Sequence, residues 1–446
     1  MGVVQIDIKL CFDYCVTLII NWVKIKVVMK RLWLIVFILA FMTGDVNLFG
    51  QNVVSTSGRQ ILLNGEPYLI RGVCYNPVPK GSTTISWSTL TEDLQLMTEA
   101  GINTIRTYSP IDNEAVLDEI AAAGVKIIMG FGYNQGGTFD ILSGTFIDYI
   151  ETYKNHDAIL FWEFGNEYNY HPEWFSNNIN IWYNALNNAA IDAQIEDPNH
   201  PVATAHGELP DNTALSLCPD IEIWGMNVYR WDNPSTIFSE WESTSNLPMY
   251  LSEAGADRYM TSSQNGYSQG ENEQMQADAT ENILDAIFDN LDICAGVAIF
   301  AFNDEWWKAG SPSTHDIGGS APNSSGVPYD GAPNEEYWGI VDIDRNKMQA
   351  YEVVKTKYLE YTTSSKSTTH HKIKVYPNPA KNLVKVDFTA LERSNIRYSL
   401  INAEGKKISE GIASNGSVLF NNLISGVYFV VFETEVDRYA QQFIVQ

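Results

Sequence analysis

The feature that most constrains this chain is a repeat of apolar, strand-length runs separated by spacers with helical character. Between residues 53 and 361 the runs fall at 68–74, 103–107, 125–131, 159–164, 202–205, 221–228, 249–252 and 295–302, eight in all. The spacers carry helix signals. Thr91 opens a pattern with Leu94, Met97 and Ala100 on one face, and Gly101 ends it. Asp112 opens another through Val116, Ile120 and Ala123, which Gly124 ends. A capping side chain ahead and a glycine behind bound a helix, because the first amides and last carbonyls of a helix lack internal partners. Strands joined by helices must run parallel. Eight such units in about 310 residues fit an α/β fold, a closed (β/α)8 TIM barrel. An open doubly wound sheet is the alternative, but Gly72-Val73-Cys74-Tyr75-Asn76-Pro77 after the first run is no phosphate-binding glycine loop.

The remaining regions read differently. Residues 1–50 include Lys30 and Arg31 followed by an apolar run over 32–42 and a polar exit, the pattern of a secretory signal peptide with an over-extended start. An N-terminal anchor is the other reading. The barrel is assigned to 51–361. Residues 362–372 form a polar Thr/Ser/Lys/His linker. Over 373–446, short alternating runs at 383–388, 396–401, 418–420 and 427–432, with turn residues between, predict a small all-β sandwich. With 45% hydrophobic residues in 446, the chain can bury one large core and a small second one. The five cysteines are too few and too scattered for a disulfide framework or zinc site. A net charge of −26 repels phosphate backbones and sets nucleic acid aside.

In a barrel, side chains at the C-terminal ends of the strands converge on one mouth. Two strand ends carry acids there. The fourth run ends Phe161-Trp162-Glu163-Phe164-Gly165-Asn166-Glu167, the seventh Met249-Tyr250-Leu251-Ser252-Glu253. Two carboxyl groups flanking one bond are what glycosidic cleavage requires, one to protonate the leaving oxygen and one to attack the anomeric carbon. Glu163 and Glu167 compete for the fourth-strand role. Alternation puts them on one face, with Glu163 deeper, so Glu167 is preferred. Ordinary loop carboxylates are the bland reading of Glu167 and Glu253. Tyr75, Tyr108, Tyr133, Asn134, His206 and Trp231 at strand ends are possible subsite walls or plain packing. After the eighth run, Phe302-Asn303-Asp304-Glu305-Trp306-Trp307-Lys308 leads into a loop of about thirty residues, a length that is usually functional. Trp306 and Trp338 there are candidate sugar platforms or rim packing. Its acids could hold Ca²⁺, but no EF-type spacing is present. A metal-dependent hydrolase would need histidines at strand ends, and only His206 qualifies.

Asn166-Glu167 after the fourth strand and Ser252-Glu253 after the seventh resemble the clan A glycoside hydrolases. Ile61-Leu62-Leu63-Asn64-Gly65-Glu66-Pro67-Tyr68-Leu69-Ile70-Arg71-Gly72-Val73 resembles the start of the family 2 barrel, and Asn103-Thr104-Ile105-Arg106 its second strand. Trp224-Gly225-Met226-Asn227-Val228-Tyr229 and Ser252-Glu253-Ala254-Gly255 also resemble the family 72 β-1,3-glucanosyltransferases. Family 2 barrels usually follow β-sandwich domains, and the family 72 cysteine pattern is absent. The resemblance implies Glu167 as acid/base, Glu253 as nucleophile, Arg106 orienting that nucleophile, Asn166 on the sugar 2-hydroxyl and Tyr229 bonded to Glu253. It further implies a retaining β-glycoside hydrolase working by double displacement, with transglycosylation where sugar outcompetes water and no cofactor. The substrate expected is a β-linked polysaccharide, foremost β-1,3-glucan, with β-mannan or β-galactoside as alternatives. A non-catalytic glycan-binding barrel of a surface uptake system is the rival class. In the tail, Val375-Tyr376-Pro377-Asn378-Pro379 and Gly426-Val427-Tyr428 resemble a type IX secretion C-terminal sorting domain. That implies export to the cell surface or medium, with the secretion machinery as partner. A carbohydrate-binding module is the alternative for the tail. A monomer is expected.

Overall fold

The structure is a computed structural model that describes residues 52–319 and 326–364. In the tail it describes 374–381, 383–387, 396–402, 406–413, 417–433 and 438–446. The signal-peptide assignment, most of the linker and part of the long loop lie outside the described residues. Eight strands, β1 (Ile70–Cys74), β2 (Thr104–Arg106), β3 (Lys126–Phe131), β4 (Ile159–Asn166), β5 (Val202–Gly207), β6 (Ile223–Asn227), β7 (Met249–Ala254) and β8 (Cys294–Ile299), close into one barrel. Each pairs in parallel with its neighbours in chain order, and β8 closes against β1. The helices are α1 (Leu90–Glu99), α2 (Glu114–Ala122), α3 (Phe146–Tyr153), α4 (Asn180–Glu196), α5 (Asn212–Leu217), α6 (Ser235–Thr244), α7 (Glu273–Phe288) and α8 (Gln349–Ser364). The cap of α2 is Asn113, whose side chain accepts from the Ala115 amide, one residue beyond the predicted Asp112.

Strand alternation sorts the side chains into two layers. Ile127, Met129, Trp162, Trp224, Met249 and Leu251 point outward into the large core shared with the helices. Ile70, Ile128, Phe161, Ala203, Ile223 and Tyr250 point inward near the strand starts, where Val54 and Ile61 of the hairpin Val54–Ser57/Gln60–Leu63 pack against them. The lower barrel is therefore apolar and filled. Higher up, the inward positions turn small or polar: Gly72, Arg106, Gly130, Glu163, Gly225 and Ser252. A Cβ on Gly130 would stand 2.2 Å from the Thr107 carbonyl oxygen, so the close approach of the backbone there requires glycine. The described cysteines, Cys74, Cys218 and Cys294, are free and buried, as expected.

The tail forms two antiparallel sheets. One orders Lys374–Tyr376, Leu383–Asp387 and Ser417–Asn421; the other orders Lys407–Ala413, Ile396–Asn402, Gly426–Glu433 and Arg438–Val445. Val384, Val386 and Phe420 from the first share a core with Leu400, Val430, Phe432 and Phe443 from the second. This is the expected small β-sandwich.

A buried ion pair ties the segment before α8 to α1. Asp93 is fully buried and accepts from Arg345 Nε (2.8 Å) and Nη2 (3.0 Å). It also accepts from the Tyr75 hydroxyl (2.7 Å) and the Thr89 hydroxyl (2.9 Å). Removing one partner of a buried pair leaves the other charge uncompensated. Asp93→Ala is therefore expected to lower unfolding free energy by about 3–5 kcal/mol in chemical denaturation. A loss below about 1 kcal/mol would show that water replaces the carboxylate.

Candidate active site

The site is built on two breaks in strand regularity. Regular alternation from Glu163 would turn Asn166 outward with Phe164. Instead the pairing of β4 with β5 shifts register between Phe164 and Asn166. Gly165 at the break has φ +77, and a Cβ there would sit 2.5 Å from the Trp182 ring. Glu167 itself adopts φ +56. On the facing side, β7 shifts register against β6 between Leu251 and Glu253, so both Ser252 and Glu253 face the barrel axis. Bulges of this kind re-aim side chains next to functional sites. The expectation that simple alternation orders Glu163 and Glu167 thus needs correction: the bulge, not the period of two, places Asn166 and Glu167 at the mouth.

Glu167 and Glu253 line one cavity of about 350 Å³, together with Asn76, Tyr108, Asn166, His171, Tyr229, Phe300, Glu305, Trp307, Lys308, Glu335 and Trp338. Three donors converge on Glu253. Arg106 Nη1 (2.9 Å) and the Tyr108 hydroxyl (2.8 Å) donate to Oε1, and the Tyr229 hydroxyl (2.8 Å) donates to Oε2. Charge-assisted bonds of this kind fix a carboxylate's orientation. Arg106 is 1% exposed and also donates from Nε to Glu163 (2.6 Å) and from Nη2 to Asn166 Oδ1 (2.8 Å). Burial alone would pull its pKa down, but Glu163 and the other surrounding anionic groups outweigh that and hold it well above the ordinary value. Glu163 is bonded by the Tyr250 hydroxyl as well, so it is a structural partner of Arg106.

Glu167 differs. Its pKa is raised to about 7, first by burial and then by the nearby Glu253 carboxylate, with Asn227 and Arg106 pulling the other way. Arg106 already faces Glu163 and Glu253, so an ionised Glu167 would add a further carboxylate without a cation of its own. Asn166 Oδ1 also accepts from Asn227 Nδ2 (3.1 Å), and Asn227 Oδ1 accepts from the Ser252 hydroxyl (2.6 Å). That chain links β2, β4, β6 and β7.

Other expected site residues are dispersed. Tyr75 is buried against Asp93, Trp87 and Phe302 and does not line the cavity. His206 is buried: its Nδ1 donates to the Glu208 carbonyl (3.0 Å) and its Nε2 accepts from the Tyr183 hydroxyl (3.3 Å). Burial lowers its pKa, the state of a neutral structural imidazole. Trp306 lies outside the cavity, stacked on His315 at 5.0 Å with Lys80 4.0 Å from its ring centre. Trp338 does line the cavity, but at 3% exposure its ring is wedged edge-on between Tyr229 and Phe300. Its Nε1 is buried with no hydrogen-bond partner. The cavity also holds His171, Trp307, Glu305 and Lys308, to which the sequence assigned no site role, and Glu335, one of the loop acids considered for Ca²⁺. Lys308 Nζ lies 2.7 Å from Glu305 and 3.7 Å from Glu335. Glu305 and Lys308 sit three residues apart, a spacing that could have suggested a pair. No group of His, Cys, Asp or Glu able to hold a metal occurs among the described residues.

Comparison with known proteins places the barrel and the tail in known families. Residues 54–304 match the family model for the TIM barrel domain of glycosyl hydrolases family 2. Residues 374–446 match the secretion system C-terminal sorting domain, which directs a chain to secretion or the cell surface. The beta-galactosidase of Pseudoalteromonas haloplanktis is 27% identical over 140 residues, 28% of this chain and 14% of that protein. The beta-glucuronidase of Sus scrofa is 24% identical over 237 residues, 47% of this chain and 34% of that protein. Among solved structures, a GH2 beta-galacturonidase from Eisenbergiella tayi aligns at TM-score 0.52 and 24% identity, over 70% of this chain and 55% of that one. Bacteroides uniformis beta-glucuronidase aligns at TM-score 0.54 and 16% identity, over 89% and 48%. The structural likenesses speak for the fold. The chain spans at most 34% of these curated relatives and 55% of these solved structures.

The raised Glu167 has a thermodynamic signature. Its folded pKa, about 7, exceeds the ordinary carboxyl value of 4.5, so the folded state holds its proton more tightly. Stability from this group is fully present below the unfolded pKa and is lost as pH rises through the folded one. Glu167→Gln should therefore raise the melting temperature more above about pH 8 than near about pH 4. An equal shift at both would exclude an elevated Glu167 pKa.

Proposed function

This chain belongs to the glycosyl hydrolases of family 2, and we propose on that premise that it is a secreted, retaining β-glycoside hydrolase acting on a neutral β-linked glycan. The observation that carries the reading is the unequal pair. Glu167 keeps its proton to about pH 7, while Glu253 in the same cavity is gripped by Arg106, Tyr108 and Tyr229. Pairs of acids whose surroundings drive their proton affinities apart are how acid and nucleophile roles are divided.

Glu167 gives its proton to the glycosidic oxygen as the Glu253 carboxylate attacks the anomeric carbon. The bond to the leaving sugar breaks and a glycosyl ester forms on Glu253. Glu167, now ionised, takes a proton from water, which attacks the anomeric carbon and releases Glu253. Arg106, Tyr108 and Tyr229 keep the Glu253 oxygens aimed and receive their charge back when the ester breaks. Asn166 spends its carbonyl on Arg106 and Asn227, so its amide hydrogens are the part left for a sugar hydroxyl. The unpartnered Trp338 N–H gives a second donor for a hydroxyl.

The substrate is neutral because the cavity is acidic. Beside Glu167 it holds Glu253, Glu305 and Glu335, and its lysine, Lys308, already has two carboxylates beside it. A uronic acid would bring another anion into this set, whatever the uronide-named relatives bind. β-1,3-Glucan remains the leading polymer through the Trp224–Tyr229 and Ser252–Gly255 sequences. A β-galactoside is the second reading, supported by the Pseudoalteromonas relative. The type IX secretion machinery is the partner of the tail, and the sugar chemistry needs no cofactor.

Separate Glu253→Gln and Glu167→Gln variants test the pair. Glu253→Gln should abolish turnover and covalent labelling by a 2-deoxy-2-fluoro β-glycoside. Glu167→Gln should cost about 10²–10⁴-fold on a natural glycosidic bond and much less on an activated aryl glycoside. Wild-type kcat/KM should fall as pH rises through about 7, the limb Glu167→Gln removes. Near-normal turnover in either variant removes that residue from the mechanism. The charge argument has its own test. Glu335→Gln frees part of the Lys308 charge, so the β-glucuronide to β-glucoside activity ratio should rise about tenfold. An unchanged ratio would mean that Lys308 does not govern selectivity.

A further inference from the structure

The segment that follows Glu167 carries an aromatic pair, half-buried His171 and exposed Trp174, that the chemistry above leaves unused. Trp174 is 57% exposed, so part of its ring surface is open to solvent. Its ring lies flat on His171, with centroids 3.9 Å apart and planes 5° from parallel. His171 lines the same cavity as Glu167 and Glu253. The pair therefore leads from the catalytic cavity outward.

Its position relative to the reaction is dictated by proton transfer. A general acid must come within hydrogen-bond reach of the glycosidic oxygen. The sugar that leaves is bonded to that oxygen, so it must lie beside the segment that bears the acid. That segment runs from Glu167 through the short turn Tyr168–Tyr170, then His171, then the turn Pro172–Phe175. We propose that His171 and Trp174 are the stacking platform for the sugar on the leaving side of the scissile bond, so that the substrate is a chain of β-linked pyranosides crossing the mouth rather than an isolated glycoside. The proposal rests on the retaining-hydrolase reading and adds where its polymer lies.

The platform is held ready. The Tyr168 ring packs against Trp182 at 4.7 Å and meets Trp174 edge-on at 5.4 Å. Asn169 exchanges two hydrogen bonds with the Gly207 backbone, tying the turn to the end of β5. His171 Nδ1 donates to Glu173 Oε1 at 2.8 Å, which sets the imidazole plane, and the Trp174 amide donates to the His171 carbonyl at 3.1 Å. A ring fixed before binding loses little conformational freedom on meeting ligand. The C–H face of a pyranoside is apolar and matches a flat aromatic surface, whereas an aryl or alkyl leaving group makes less use of it.

Kinetics on two substrate classes with the same reacting sugar test this. The substrates are β-linked gluco-, galacto- and manno-oligosaccharides from di- to hexasaccharide, and the corresponding 4-nitrophenyl β-glycosides. For Trp174→Ala, kcat/KM on the oligosaccharides should fall about tenfold more than on the aryl glycoside, and Trp174→Phe should recover most of the difference. Labelling of Glu253 by a 2-deoxy-2-fluoro β-glycoside is read in parallel. Absence of labelling and turnover in the wild type would overturn the hydrolase reading itself. Labelling with equal losses on both substrate classes, with no loss on either, or with wild-type cleavage confined to aryl glycosides, would overturn the platform alone.

Discussion

A guanidinium buried inside a barrel is the constraint around which the rest of this structure is arranged. Arg106 lies at the end of a three-residue strand, 1% exposed, and could not be there without anions. Glu163 compensates it from below, Glu253 from the side and Asn166 from above. Two of these partners come from β4 and one from β7, so the charge ties both strands to β2 across the upper barrel. Two carboxylates facing one cation leave no compensation for a third. Burial first, and the nearby Glu253 carboxylate second, raise the Glu167 pKa to about 7.

Aim is set by backbone irregularity. Register shifts on β4 and β7 rotate Asn166, Glu167 and Glu253 toward the axis where an ideal pleat would send some of them into the helix layer. Gly165 permits the first shift because its positive φ and the closeness of Trp182 leave no room for a side chain. The apolar lower barrel supplies rigidity, and the strained strand ends supply direction. The loops add the Glu305–Lys308–Glu335 cluster and His171 to the cavity that holds the pair.

Eight apolar runs and their spacers were legible because a closed parallel sheet requires buried strands with helices between, and that requirement is written in local patterns. The two acids at strand ends were legible for the same reason: a strand's end is visible in the sequence. Arg106 and Tyr229 came from family likeness and fall where that likeness puts them. Tyr75, His206 and Trp306 read as plausible walls because strand ends and loops hold them. Whether such a side chain turns to the cavity or to a neighbour such as Asp93, Tyr183 or His315 depends on contacts with residues far along the chain.

The sequence alone determined the strand–helix repeat, the appended β-sandwich with its sorting motif, and which strands carry acids, since each rests on periodicity or a contiguous motif. Tertiary structure decided that the Glu167 pKa is raised, which donors grip Glu253, that Lys308 lies beside two carboxylates, and that His171 lines the cavity. Those properties come from burial and from charges brought together across the barrel, and neither quantity exists until the chain has closed.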